Sequence, residues 1–295
     1  MKLISSIFNR HALVLTSVLC LPGVAMAQAA YSTAEAAADA LVKAVMASDP
    51  AASAHVLGKE WRELLPKDTN SEDRRVFLAK ASESHTVIVT NDEAQLLVGK
   101  DQWPFPIPIK HAPNGGWSFD VKGGHAAVQE RRIGYNERSA MLATLAYVDA
   151  QREYALADRN GDGIPEYARR FVSRKGKRDG LIWSPKLGDE SPLGEQFAPS
   201  KAGSGYHGYH FKILEAQGPK ARGGARDYVI GNRLLSGYAV IAWPIKYGQT
   251  GVMSFIVNQD GDVYEQDLGP QTQKLAGNIA QFNPDDKWKR TAPGK

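Results

Sequence analysis

The hydrophobic and polar positions of this chain fall into blocks with a helical period followed by blocks with a strand period. Ser32-Thr33-Ala34-Glu35 reads as a helix start, and an alanine-rich run continues through Leu41, Val45 and Met46. A second helix is predicted around Glu60 to Leu65, stopped by Pro66, and a third from Glu72 to Ala81 with Val76, Phe77 and Leu78. The period then changes. Thr86-Val87-Ile88-Val89 and Ala94 to Val98 are strand-like runs separated by the turn signal Asn91-Asp92. From Trp103 to Ile109 apolar residues alternate with prolines, which cannot donate to a ladder, so an edge strand or extended segment is expected. Asn114-Gly115-Gly116 then turns into Trp117 to Val121 and closes a hairpin. Helices followed by antiparallel strands predict a small α+β domain over residues 31–125.

The second block opens with a long helix from about Gln129 to Ala157, whose Met141, Leu142, Leu145, Val148 and Leu156 recur at helical spacing. An acidic loop ends it, and Glu166 to Val172 is expected to add one or two helical turns. Beyond a loop rich in Gly, Pro and Ser (175–205) come strand-like stretches at 209–216, 237–243 and 252–258. Gln259-Asp260-Gly261-Asp262 turns the last of these into Val263 to Asp267. A long helix laid on an antiparallel sheet over residues 129–280 is the expected second α+β domain, with 281–295 as a loosely attached tail.

The first residues change the picture of where the protein works. Lys2 and Arg10 precede an apolar run, Ala12 to Leu21, and Ala25-Met26-Ala27 is a small-x-small cleavage site. Residues 1–27 therefore read as a secretory signal peptide, too short in its apolar part to span a bilayer. Cleavage removes the only cysteine, Cys20, and with it thiolate metal sites, disulfides and cysteine nucleophiles. The expected location is the periplasm or outside the cell, with no transmembrane segment after cleavage. Loss of Lys2 and Arg10 takes the 36 basic residues to 34 against 32 acidic ones, a balance that argues against a nucleic-acid partner.

Candidate chemistry is sparse. Asp158, Asn160 and Asp162 occupy the first, third and fifth places of a calcium-loop template, Gly163 the turn, Ile164 the carbonyl position and Glu166 the ninth place. The twelfth place, which should supply a bidentate glutamate, is Arg169. Such a loop is either a weak structural calcium site, at ~10⁻⁴ to 10⁻³ M, or a polar helix stop built on Asn-Gly and Asp-Gly turns. Trp103, Phe105 and Trp117 form one candidate aromatic contact surface, and Trp243 and Tyr247 a second. His207 and His210 lie three apart, a spacing that sends strand side chains to opposite faces. The glycine loop Gly218 to Arg226 lacks the Gly-Lys-Ser/Thr ending of a nucleotide loop. The sequence contains no Gly-x-Ser-x-Gly elbow, His-Glu-x-x-His helix or Ser-x-x-Lys motif.

Ala150-Gln151-Arg152-Glu153-Tyr154, the acidic loop, Gly208 to Leu214, Gly223-Gly224-Ala225, Ala242-Trp243-Pro244 and Tyr247 to Asn258 together resemble a secreted bacterial family, the domain of unknown function 2950. Trp103 to Ile109 and Trp117 to Asp120 extend the resemblance into the first half. It implies an exported protein and assigns no activity. The second half also loosely resembles the pseudopilin-like fold, minus the retained apolar helix that anchors pilins. The expectation is a non-enzymatic exported protein that binds another envelope protein or assists envelope assembly. The alternative is an envelope glycan-binding protein or hydrolase whose carboxylates meet only in the fold.

Overall fold

A computed structural model describes residues 28–64, 71–113, 115–194, 197 and 205–292. The expected signal peptide with Cys20, the helix stop at Pro66 and the turn residue Asn114 lie outside these. The chain forms two compact units, residues 1–121 and 122–295.

In the first unit, α1 (Ala34–Ala47) starts at Thr33, whose hydroxyl accepts the Ala36 N–H at 3.1 Å. Its buried stripe is Ala34, Ala37, Ala38, Leu41 and Ala44, mostly small residues that let the helix lie close against its neighbours. Next comes α2 (Pro50–Leu57), absent from the sequence expectation. Asp49 caps it and Pro50 takes the first helical position, the one place where a missing N–H is harmless. The short α3 (Trp61–Leu64) and α4 (Ser71–Glu83) complete the helices. Five antiparallel strands follow: β1 (His85–Thr90), β2 (Glu93–Val98), β3 (Trp103–Pro104), β4 (Ile109–His111) and β5 (Trp117–Phe119). Their order is β1-β2-β4-β5, with β3 also beside β2. The proline run does what its chemistry requires, since pairing lapses across Phe105–Pro108 and splits the segment into two short strands. Ala94, Leu96, Val98, Ile109 and Phe119 form the buried side of the sheet.

In the second unit, α5 (Val121–Tyr154) begins before the expected Gln129, running through Gly123 and Gly124, and ends short of Ala157. Its buried face is Ala140, Thr144, Tyr147, Val148, Gln151 and Tyr154, whereas Leu142 and Leu156 are exposed. Residues 166–172 are not helical. Tyr167 bridges Leu234 and Val172 runs parallel to Ile182, because Pro165 and the side-chain partners of Arg169 hold this stretch extended.

The remaining elements are β6 (Tyr209–Leu214), β7 (Ala216–Gln217), β8 (Arg226–Asp227), β9 (Val229–Ile230), β10 (Arg233–Leu234), β11 (Ala239–Pro244), β12 (Met253–Asn258), β13 (Val263–Asp267), α6 (Thr272–Asn278) and β14 (Lys289–Thr291). The main sheet is antiparallel in the order β14-β13-β12-β11-β6. All six residues of β11 are buried, because aromatic side chains around α5 cover one sheet face and α6 and Phe282 the other. The segment after Ala280, expected to be a loose tail, is part of the fold. Phe282 is buried against Tyr264, Trp288 packs on the core, and β14 extends the sheet. The α+β class and the long helix with an antiparallel sheet stand as expected.

Candidate functional site

The chemistry of β1 starts with which of its backbone groups are used. The Leu96 carbonyl accepts the Phe105 N–H at 2.7 Å and the Asp92 carbonyl accepts the His111 N–H at 2.8 Å, so even-numbered backbone groups of the β2 segment turn away from β1. Glu93, Gln95 and Leu97 therefore serve β1, where their register partners are Thr90, Ile88 and Thr86. His85, Val87 and Val89 are left with N–H and C=O groups directed outward. Among the described residues no strand pairs with that side.

The side chains agree. Five of the six residues of β1 are exposed and Val87 is half-buried, with Ile88 at 54% and Val89 at 46%. Natural edges are usually blunted by charge, proline, bulges or cover. In the first unit β5 is capped by Tyr31, which exchanges backbone bonds of 2.8 and 2.7 Å with Trp117. In the second, β14 carries Lys289 and Arg290, and β6 has no exposed residue. β1 has none of these protections: His-Thr-Val-Ile-Val-Thr contains no proline and no lysine.

Beside the first residue of β1, α1 and α4 leave a shallow groove lined by Val42, Met46, Leu78 and Ala81, with Met46 66% exposed. His85 closes its sheet end. Nδ1 lies 3.0 Å from the Ala81 carbonyl and Nε2 3.0 Å from Asp39 Oδ1. An imidazolium donates to both, and these two acceptors, the carbonyl foremost, raise the His85 pKa above its ordinary value. Open backbone groups, β-branched side chains and an apolar groove make a surface suited to recognising extended polypeptide.

The acidic loop is turned in on itself. Asp158 accepts the N–H groups of Asn160, Gly161 and Gly163 at 3.1, 2.8 and 2.6 Å, and these bonds, Gly163 first, hold its carboxyl below the usual range. Gly163 adopts φ +85°, the left-handed turn its position calls for. Asn160 accepts from Asp162 and donates to Glu166 at 3.3 Å, while Asp162 accepts from Ile164. Burial, ahead of its charged neighbours, raises the Glu166 pKa. Both Nη atoms of Arg233 bond Asp162. Arg169 faces away, forked onto Glu215 at 2.8 and 2.9 Å and bonded to Asn232 at 2.8 Å. The structure thus brings Asp158, Asn160, Asp162 and Glu166 near one another. Among the described residues it contains no group of three His, Cys, Asp or Glu side chains arranged to hold a metal ion. Ile164 offers an exposed side chain at the loop rim.

The aromatic candidates separate. Phe105 is wedged between Phe77 and Phe119 at 5.6 and 6.0 Å, a packing role. Trp103 is 37% exposed and Trp117 is half-buried edge-on to His111. Trp243 is buried, its indole N–H donated to Gln273 of α6 at 3.0 Å, so it presents no surface to a ligand. Tyr247 is half-buried and donates to Asp267 at 3.1 Å. His207 sits in a tight turn at φ +45° against Tyr135 and Tyr206, while His210 packs on Trp243, so the two imidazoles do not converge. In the glycine loop the Lys220, Ala221 and Gly224 amides are taken by Asn283, Gly218 and Ala221, leaving no cradle of these donors for an anion.

Sequence reasoning passed over β1 as a surface. The signal was present, as an apolar strand before a tight turn with no gatekeeper residue, but only the topology reveals which strand is left at the edge. Fold and surface define a two-unit α+β protein with an open strand edge, and no described helix is long and apolar enough to cross a membrane. The chain belongs to the family described as Protein of unknown function (DUF2950), whose model matches residues 28–291. No curated protein and no solved structure matches it, and the pseudopilin likeness gains no support.

Proposed function

We propose that the protein is an exported, non-enzymatic binding or assembly factor of the cell envelope that takes up an extended strand of another envelope polypeptide along β1. The observation that carries this reading is a six-residue strand with outward-directed backbone groups at His85, Val87 and Val89 and an exposed apolar surface. Strand addition draws its affinity from main-chain hydrogen bonds and its selectivity from alternate side chains, and β1 supplies both.

Export into the periplasm rests on the basic start, apolar run and Ala25-Met26-Ala27 site. Two observations support cleavage after Ala27. The family match begins at residue 28, and the Gln28 side chain donates to the Phe119 carbonyl at 2.7 Å, tying the expected first residue into the first unit. The acidic loop enters as architecture. Arg233 supplies positive charge at Asp162 and latches the exit of α5 onto β10, which leaves calcium a structural role at most.

A photo-crosslinking residue placed at Ile88 in cells, with one at the exposed Leu156 as control, tests the reading. Expected are a discrete crosslinked species at Ile88 but not at Leu156, and a secreted form whose N-terminus is Gln28. Identical crosslinking at the two positions, or retention of Met1 on the mature protein, contradicts the corresponding half of the proposal.

A further inference from the structure

Resting on the reading of cleavage after Ala27, we infer that the fold guards its own new amino terminus. The Gln28 side chain is a clasp between α2 and β5, and this hold withholds it from the cyclisation open to an N-terminal glutamine. The residues that follow the cleavage site form a strap. Gln28 Nε2 donates to the Phe119 carbonyl at the end of β5 at 2.7 Å and to the Val56 carbonyl at 3.3 Å. The Ala29 N–H donates to the His55 carbonyl at 2.7 Å, and Tyr31 exchanges its backbone bonds with Trp117. His55 and Val56 sit in the last turn of α2, where carbonyls have no partner within the helix. The strap therefore caps a helix end as well as covering a strand edge. Gly58 makes room for it, since a Cβ there would lie 3.2 Å from Gln28 Oε1 and 3.4 Å from its Cδ.

Cleavage turns the Gln28 nitrogen into an α-amine. That amine can attack the carboxamide carbon of its own side chain and close a five-membered lactam. The bond from Cδ to Nε2 breaks and ammonia leaves, its third hydrogen coming from the amine, so no other reactant is needed. The lactam lacks the NH2 group that serves the Phe119 and Val56 carbonyls. It also lacks the α-ammonium, a positive charge one residue from the N–H that caps the carbonyl end of α2. Ring closure and clasp exclude one another, so only molecules with the clasp open cyclise. With one short and one long hydrogen bond to break, folding should slow the reaction roughly tenfold or more.

The test follows loss of one ammonia from the N-terminal peptide of the purified exported protein by mass spectrometry. Folded protein in buffer is compared with protein unfolded in urea at the same pH and temperature. Expected are a terminus that starts as uncyclised Gln28 and a rate lower by roughly tenfold or more in the folded protein. Protein cyclised in urea and returned to buffer should melt at a lower temperature than uncyclised protein refolded in the same way. Equal rates in the two states, equal melting, or a terminus already cyclised on isolation overturns the clasp and leaves the cleavage reading standing. A terminus other than Gln28 overturns both. The reading of β1 stands or falls separately, on crosslinking at Ile88.

Discussion

Replacing Gln151 by leucine tests how the end of α5 is fixed to the segment beyond the acidic loop. Gln151 is fully buried, and its amide accepts the Ala168 N–H at 2.8 Å while donating to the Ala168 carbonyl at 2.8 Å and to the Tyr147 hydroxyl at 2.9 Å. Leucine has similar bulk and no polar atom, so both backbone groups of Ala168, itself buried, lose their partners. Tyr147 keeps its bond to the Ala239 carbonyl. An orphaned buried donor or acceptor costs about 1–3 kcal/mol, so the pair should cost about 2–5 kcal/mol after the gain from burying the apolar side chain. In a unit of this size that lowers the melting temperature by roughly 5–15 °C. Scanning calorimetry of the wild type, Gln151→Leu and the exposed neighbour Glu153→Leu provides the measurement, the last expected within about 0.5 kcal/mol of wild type. A fall below ~2 °C for Gln151→Leu would mean that Ala168 is not held by this amide, and the account of how the end of α5 is fixed to the segment beyond the acidic loop would fail with it.

Three further outcomes follow from named contacts. Asp162→Asn and Arg233→Met should show a coupling of about 0.5–1 kcal/mol in a double-mutant cycle, and millimolar calcium should leave the wild-type melting temperature unchanged; a calcium-dependent rise in the wild type would restore the metal reading. His85 has a raised folded-state pKa, so its contribution is complete below its ordinary value near 6.5 and is lost as pH climbs through the raised one. The thermal midpoint of the first unit should therefore fall by up to about 1 kcal/mol equivalent between pH 5.5 and 8.5, and His85→Gln should remove that slope; parallel curves for the two proteins would contradict it. Truncation after Ala280 should destabilise the second unit by more than about 3 kcal/mol through loss of buried Phe282, measured by urea unfolding, whereas a dispensable tail would leave it unchanged.

Much of the architecture is legible because it is written locally. Thr33 caps a helix whose buried stripe is alanine and leucine, β-branched runs mark β1 and β12, and the Asp260-Gly261 turn places β13 with both of its ends as expected. The errors share a physical origin. α2 was missed because its apolar pattern is weak and its start depends on Asp49 and Pro50. The face of α5 was misjudged because its buried residues include Thr144 and Gln151, polar side chains made tolerable by partners far along the chain. Phe282 and Trp288 look isolated in sequence and become core only when they fold back over the sheet. In the acidic loop the template residues were legible, but Arg233 and Glu215, which decide where the charges go, lie 71 and 46 residues from their partners. An edge strand is defined by what does not pair with it, and no local pattern encodes that.

The central claim, that β1 is completed by another chain, is tested most directly by residue-resolved amide hydrogen exchange across His85–Thr90 in the purified protein and in cell-envelope extract. Thr86, Ile88 and Thr90 bond to β2 and should be protected in both. Val87 and Val89 should exchange rapidly in the purified protein and become protected in extract, an alternation that only strand addition produces. Equal protection of all the β1 amides in the purified protein, or rapid exchange of Val87 and Val89 in extract as well, would contradict the account.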